Sequence, residues 1–358
     1  MVRCRLKDEG LAPGSCATET PEGLKVACEA TLRWREGRPE RLIEAIHLSR
    51  PEHYLSIYQS GCNMSCRKCH SWRFTQRATG RWLGPEEIAE AALRYAREVT
   101  VFEPRERATA FHALDLCRGC GTCVEALLRP GPPQRIELRP TGRRSPICPG
   151  KISPEQVVLS PQGVGPARNI VAFTGGDLMC QPDFYTQTTS LIKARAEGLW
   201  VLLETNGYGL TLRNLDLYGE AGVDAFWLDI KAYDPEVHRR LTGVDNAWVL
   251  KLPGEIVKRG FTLEVLSLYI PGWVEEDQIG RIARVLAEVD PSIPFTVLAF
   301  FPEHKMRDVP PPTLDQMLKA WEAAKATGLE RVRLGNLGIF LKDHGDWERL
   351  LKVAPEAL

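Results

Sequence analysis

The chain has 358 residues, 44% hydrophobic and 26% charged, and its 46 Lys and Arg balance 46 Asp and Glu. That composition is one of a soluble globular protein with a substantial core, in one large domain or two ordinary ones. Zero net charge removes any global argument for nucleic acid or an anionic membrane as partner. No apolar run approaches the ~20 residues of a membrane span, and MVRCRLKDEG lacks the apolar stretch of a signal peptide, so the expected compartment is the cytoplasm.

Eleven cysteines, an odd number, suit a disulfide-stapled secreted protein poorly. Seven fall in two groups, 62, 66, 69 and 117, 120, 123, 148, a clustering that favours metal. In chain order, residues 1–50 read as an irregular segment without a motif. YLSIYQ (54–59) reads as a strand running into GCNMSCRKCH. PEEIAEAALRYAREV (85–99) places Ile88, Ala91, Ala92 and Tyr95 on one helical face after an initiating Pro. Between about 105 and 152 Cys, Gly, Pro and Arg dominate, as in an inserted module.

Alternation then resumes with a strand at NIVAFTGG (169–176), a helix over 183–197, and strands at LWVLLETNG (199–207), AFWLDIKA (225–232), TLEVLSLYIPG (262–272) and FTVLAFF (295–301). Leu314, Met317, Leu318 and Trp321 form the stripe of a last helix, and VRLGN (332–336) is a candidate seventh strand. Such alternation predicts an α/β fold with a parallel sheet, barrel-like or doubly wound. In both, chemistry gathers at the C-terminal ends of strands. GCNMSC, TGGD, ETNG and DIK each lie at or just past such an end.

Cys62, Cys66 and Cys69 stand at C-x3-C-x2-C, one ligand short of a closed tetrahedral site. One reading is structural zinc with His70 as fourth ligand. The other is a [4Fe–4S] cluster bound through three irons, with the fourth iron open. The triplet after a strand strongly resembles the radical S-adenosylmethionine (SAM) superfamily. The resemblance implies a partial (β/α)6-type TIM-like barrel, a SAM-binding [4Fe–4S] cluster on these three cysteines, and SAM itself as the missing ligand. TGGD resembles the superfamily's GGE motif, so Gly175, Gly176 and Asp177 would meet the SAM amino group. ETNG and DIK are similar to the D-T-N-G and D-x-K elements of glycyl-radical-enzyme activating enzymes. On that likeness Glu204, Thr205, Asn206 and Asp229 would flank the SAM methionyl group and a monovalent cation, and Lys231 would pair with its carboxylate.

LDIKAYDPEVHRRLTGVDN (228–246) and LYIPGW (268–273) also resemble the pyruvate formate-lyase activating enzyme family, whereas 300–336 is similar to AmmeMemoRadiSam-system radical SAM proteins. Three features depart from the activase pattern. Lys68 stands where an aromatic residue usually precedes the third cysteine, Asp177 replaces the Glu of GGE, and SIYQSG (56–61) lacks the D-G-P-G-x-R-like segment.

CRGCGTC followed by Cys148–Pro149 is similar to one half of a two-cluster ferredoxin. Cys117, Cys120, Cys123 and Cys148 would hold an auxiliary, fully ligated [4Fe–4S] cluster for electron relay, zinc being the alternative. Arg129, Arg135, Arg139, Arg143 and Arg144 face only Glu137 there, a solvated basic face or a docking site for an acidic partner. Cys4, Cys16, Cys28 and Cys180 read as small buried residues; a further cluster is the alternative, against which stands the lack of knuckle spacing.

The expected organisation is an N-terminal segment of unknown role (1–50), a first part of the barrel (51–105), the ferredoxin-like insert (106–152) and the rest of the barrel (153–358). The expected function is radical SAM oxidoreductase chemistry of the activase kind, forming a glycyl radical on a partner protein, with ferredoxin or flavodoxin as electron donor. The rivals are a radical SAM enzyme acting on a small molecule, peptide, lipid or RNA, and a non-catalytic iron–sulfur electron carrier.

Overall fold

A computed structural model describes residues 4–129 and 135–358. Its centre is a ten-stranded sheet. In chain order the strands are β1 (Leu32–Arg35), β2 (Arg38–Leu48), β3 (Leu55–Gln59), β4 (Arg81–Leu83), β5 (Ile170–Gly175), β6 (Trp200–Thr205), β7 (Ala225–Asp229), β8 (Thr262–Tyr269), β9 (Phe295–Ala299) and β10 (Val332–Gly335). Their spatial order is β10-β9-β8-β7-β6-β5-β3-β2-β1, with β4 beside β2. The run from β3 through β5 to β10 is parallel throughout, so VRLG is indeed its seventh strand. The sheet is the partial barrel that the alternation and the family resemblance predicted.

The parallel strands are apolar on both faces because both are covered. Val171, Phe173, Val201, Leu203 and Phe226 join the main core outside the barrel. Residues alternating with them, Ile170, Ala172, Leu202 and Ala225, form a second cluster within it. Helices pack outside. Pro85–Ala96 opens with Pro and buries the predicted Ile88, Ala91, Ala92 and Tyr95. Pro235–Thr242 is capped by the Asp234 carboxylate, which accepts from the Glu236 and Val237 N–H groups, and stops at Gly243 in the left-handed region. Leu314–Lys325 buries Leu314, Met317 and Leu318, while the Trp321 indole donates to the Val332 carbonyl at 3.1 Å.

The first fifty residues are not irregular. β2 is eleven residues long and lies antiparallel to β3, extending the sheet beyond its parallel run. A register shift between Ile43 and Ala45 breaks its two-residue alternation, which is why RPERLIEAIHL shows no clean strand period. Residues 103–116 plug the N-terminal end of the barrel: the Phe111 N–H donates to the Glu264 carboxylate at 2.7 Å, and Arg333 binds the Phe111 carbonyl and Asp115. Between the two groups of insert-region cysteines read from sequence, Val124–Arg129 pairs antiparallel with Arg135–Pro140. Glu137 there pairs with both Arg129 and Arg139, so part of the basic stretch is neutralised internally. No helix among the described residues is long and apolar enough to cross a membrane.

Candidate active site

β3, β5, β6 and β7 are consecutive in the sheet, so their C-terminal ends bring the Cys62–Cys69 loop, TGGD, ETNG and DIK side by side. Asp177 ties three of these together. Its carbonyl accepts the Asn63 N–H at 2.8 Å. Its carboxylate accepts the Met179 N–H at 2.9 Å, the Thr205 hydroxyl at 2.7 Å and the Asn206 N–H at 2.8 Å. Burial raises its pKa, and those three donors oppose the rise. The Asn206 amide then donates to Asn63 Oδ1 at 2.7 Å and lies 3.7 Å from the Cys62 sulfur. Asp177 is thus a clamp on the ETNG turn, and its short side chain is fully engaged within the protein.

The two glycines serve the same packing. Gly176 donates its N–H to the Gln59 carbonyl at 2.7 Å, and a Cβ there would meet the Gly61 carbonyl oxygen at 2.2 Å. Gly175 has φ +83°, and a Cβ on it would fall 2.6 Å from the Phe74 ring. The close approach that requires glycine is therefore to the turn that delivers Cys62.

On the other side of the loop, Lys231 pairs with Asp229, both side chains about a quarter exposed. Burial acts to lower the Lys231 pKa, but Asp229 and the Cys66 and Cys69 thiols outweigh it and the net direction is up. The Asp229 Oδ1 atom and the Trp227 indole nitrogen, on the inward face of β7, are buried without a protein partner. Cys69 Sγ lies 3.3 Å from the Thr75 hydroxyl. His70 turns out to solvent, 78% exposed, with its ring 3.0 Å from Glu303. Lys68 meets the same carboxylate at 3.3 Å and lies 3.4 Å from the centre of the Phe301 ring, so one face of that aromatic is taken.

Glu204 points into the barrel, one step deeper. It accepts the Tyr54 hydroxyl at 2.9 Å and the Thr174 hydroxyl. Burial, with Glu52 and Glu264 adding to it, pushes its pKa up to about 8 against those two donors. Glu264, on β8, is pushed up to about 7, again chiefly by burial. A carboxyl whose folded pKa exceeds its unfolded value stabilises the fold fully below the unfolded pKa, and that stability is lost as pH rises through the folded one. Stability therefore falls between roughly pH 4.5 and pH 8, and Glu204→Gln makes the fall shallower while Glu264 preserves part of it. Thermal midpoints measured across that range check this; identical slopes in both proteins would refute it.

Cys117, Cys120, Cys123 and Cys148 lie at the opposite end of the sheet. The four thiols of Cys117, Cys120, Cys123 and Cys148 line one cavity with Val164 and Gly165. Gly119 and Gly121 take φ +65° and +71°, and the Gly119 N–H donates to Cys117 Sγ at 3.3 Å, the amide–sulfur contact an iron–sulfur site uses. The Cys117 carbonyl is 3.1 Å from the His53 ring, just before β3 begins, whereas Cys62 follows the end of β3. Along extended chain from His53 to Gly61 that is roughly 25 Å. Among the described residues, no three His, Cys, Asp or Glu side chains are placed to hold a single metal ion. Three thiols on one loop beside unpartnered polar atoms on β7, and four around one cavity, fit an open and a closed cluster respectively.

Residues without a sequence signal also shape the site. Arg41, fully buried on β2, donates to the Ser60 carbonyl at 2.8 Å and the Tyr185 hydroxyl at 2.7 Å, holding the turn before Cys62. Asn63 is buried against Asn206. Only an arginine opening the RLIEAI run hints at the first, and nothing marks the second.

Residues 144–280 match the family model described as the Radical SAM superfamily, a span that contains TGGD, ETNG and DIK. Over 158 residues the chain is 32% identical to a Methanocaldococcus jannaschii protein named as a glycyl-radical enzyme activating enzyme, 43% of this chain and 58% of that one. It is 25% identical over 162 residues to the pyruvate formate-lyase 1-activating enzyme of Escherichia coli K12, covering 41% and 64%. To the isethionate sulfite-lyase activating enzyme of Oleidesulfovibrio alaskensis it is 27% identical over 247 residues, covering 65% and 74%. The matches span 58% and 64% of the first two relatives' lengths. The resemblance read from the motifs, to this superfamily and to its activating enzymes, holds.

Proposed function

We propose, with the radical SAM superfamily match as premise, that this chain cleaves SAM reductively and removes a hydrogen atom from a glycine of a partner protein. The observation that supports it best is the meeting of Cys62, Cys66 and Cys69 with the Asp177 clamp and the Asp229–Lys231 pair at four neighbouring strand ends. The three thiolates would hold a [4Fe–4S] cluster, which would supply the electron for reductive cleavage of the SAM sulfonium into methionine and a 5′-deoxyadenosyl group.

The remaining roles belong to the chain's own residues. Lys231 offers its ammonium to the SAM carboxylate. Asp229 Oδ1 is left to accept from the SAM amino group. Asp177, through Thr205 and Asn206, fixes the ETNG turn against Cys62, so it positions residues around SAM without touching it. Gly175 and Gly176 let that assembly close. Glu204 lies on the inward face, where the hydrogen donor would enter. Cys117, Cys120, Cys123 and Cys148 would hold an auxiliary [4Fe–4S] cluster in an insert over 106–152, between the barrel parts 51–105 and 153–358, with a small one-electron donor protein such as ferredoxin or flavodoxin as its partner.

Anaerobic reconstitution with iron and sulfide, followed by dithionite and SAM, is expected to yield 5′-deoxyadenosine and methionine in equal amounts. An organic radical then observed by electron paramagnetic resonance on an added partner protein supports the activase reading. Deoxyadenosine without any protein radical, but with a modified small molecule, favours the rival enzyme. No cleavage by the fully reconstituted protein refutes both.

A further inference from the structure

Four cysteines remain outside the two sets: Cys4, Cys16, Cys28 and Cys180. The fold brings them together from four separate elements. Cys4 precedes the turn Arg5–Glu9, Cys16 lies in the following loop, Cys28 sits in the short helix Ala27–Thr31, and Cys180 follows TGGD. Cys28 and Cys180 are buried in one cluster with Leu6, Met64, Cys66 and Tyr208, and Cys4, Cys16, Cys62 and Cys69 pack against it. Their thiols lie within electrostatic reach of one another: Cys16 and Cys4 act on Cys28, and Cys28, Cys4 and Cys16 all act on Cys180, in each case adding to the effect of burial.

The segment carrying them is built onto the Cys62–Cys69 loop. The Ser65 N–H donates to Ser15 Oγ at 2.8 Å, the Ser65 hydroxyl donates to the Ser15 carbonyl, and Ser15 Oγ donates to the Thr242 carbonyl at 2.6 Å. A Cβ on Gly14 would meet the Asn63 carbonyl oxygen at 2.2 Å, and the Tyr208 hydroxyl donates to the Ala12 carbonyl at 3.1 Å. Arg5 pairs with Asp183, three residues beyond Cys180. The chain is thus tied so that Cys4 and Cys16 arrive beside Cys28 and Cys180.

We propose that Cys4, Cys16, Cys28 and Cys180 hold a further [4Fe–4S] cluster, adjoining the Cys62–Cys66–Cys69 loop. Four-thiolate sets take zinc or iron–sulfur clusters. Zinc draws its sulfurs in with bonds of about 2.3 Å, and the zinc assay below separates that occupant. A cubane spreads its four thiolates more widely. Place argues the same way. The insert's set is separated from Cys62 by the length of β3, whereas this set shares packing with Met64 and Cys66. The wide spacing that concealed it is the signature of a site assembled by tertiary structure.

The assignment does not rest on the radical reading, because metal content tests it directly. The full chain and the double variant Cys16→Ala/Cys28→Ala are reconstituted anaerobically, checked by far-ultraviolet circular dichroism, and assayed for iron, sulfide and zinc. The expected result is about twelve irons per chain falling to about eight in the variant. Equal iron in the two proteins, or zinc in place of the lost iron, overturns the proposal. If the double variant does not fold, Cys180→Ala is read against the full chain by the same criterion, and a full-chain content of about eight irons or fewer overturns the proposal outright. A parallel loss of about four irons in the Cys62/Cys66/Cys69 variant identifies that loop's share separately, so failure of one assignment is not mistaken for failure of the other.

Discussion

Replacing Cys62, Cys66 and Cys69 together by alanine abolishes reductive SAM cleavage while leaving the iron held elsewhere in the chain. The three thiols come from one loop between the end of β3 and Trp72, and nothing else there can substitute for them. His70 points outward to Glu303, Lys68 is paired with the same carboxylate, and Asn63 is engaged with Asn206. The loop itself is held from outside: Asn63 N–H binds the Asp177 carbonyl, and the Ser65 and Arg67 N–H groups bind the Thr242 and Leu241 carbonyls. Its path therefore survives the substitution, and the folded protein keeps the cavity that Cys117, Cys120, Cys123 and Cys148 line. The expected readout is loss of 5′-deoxyadenosine to background, with iron reduced by about four per chain. Retained cleavage would mean that the site lies elsewhere.

The second large effect is on stability. Arg168 is fully buried at the N-terminal end of β5. It is ion-paired with the buried Glu103 and donates to the carbonyls of Thr109 at 2.8 Å, Glu52 at 3.1 Å and Arg107 at 2.6 Å. Breaking a buried pair costs about 3–5 kcal/mol, and Glu103 keeps a second partner in Arg107 at 2.7 Å, which places the cost near the lower end of that range. Arg168→Leu also leaves three carbonyls without their donor. We expect a loss of that order, measured as a shift in the urea midpoint, with Arg168→Lys recovering little because an ammonium does not reproduce the guanidinium fork. A shift below about 1 kcal/mol would show that the plug is held by its other contacts, such as Arg333.

The parallel sheet, and the meeting of the four motifs at its strand ends, were legible because their signals are local. Apolar runs such as IVAF and WVLL are what a strand covered on both faces requires, and the motifs sit where those runs end. The long strand Arg38–Leu48 escaped because its bulge shifts the alternation and because its interior carries a buried arginine whose partners, Ser60 and Tyr185, lie far along the chain. Asp177 stood out in the sequence only as part of TGGD, because its part in clamping ETNG depends on Thr205 and Asn206 arriving from the next strand. The grouping of Cys4, Cys16, Cys28 and Cys180 was not legible for the same reason: no spacing rule describes residues that only folding makes neighbours.

The placement of the insert at the N-terminal end of the strands has a kinetic consequence under the proposed function. A donor protein resting on the Cys117–Cys148 region and a substrate entering at the strand ends that carry Cys62 and Lys231 occupy opposite poles of the barrel. Neither has to leave for the other to bind. Varying one at several fixed concentrations of the other would then give lines that intersect, as for a ternary complex, and excess donor would leave the apparent affinity for substrate unchanged.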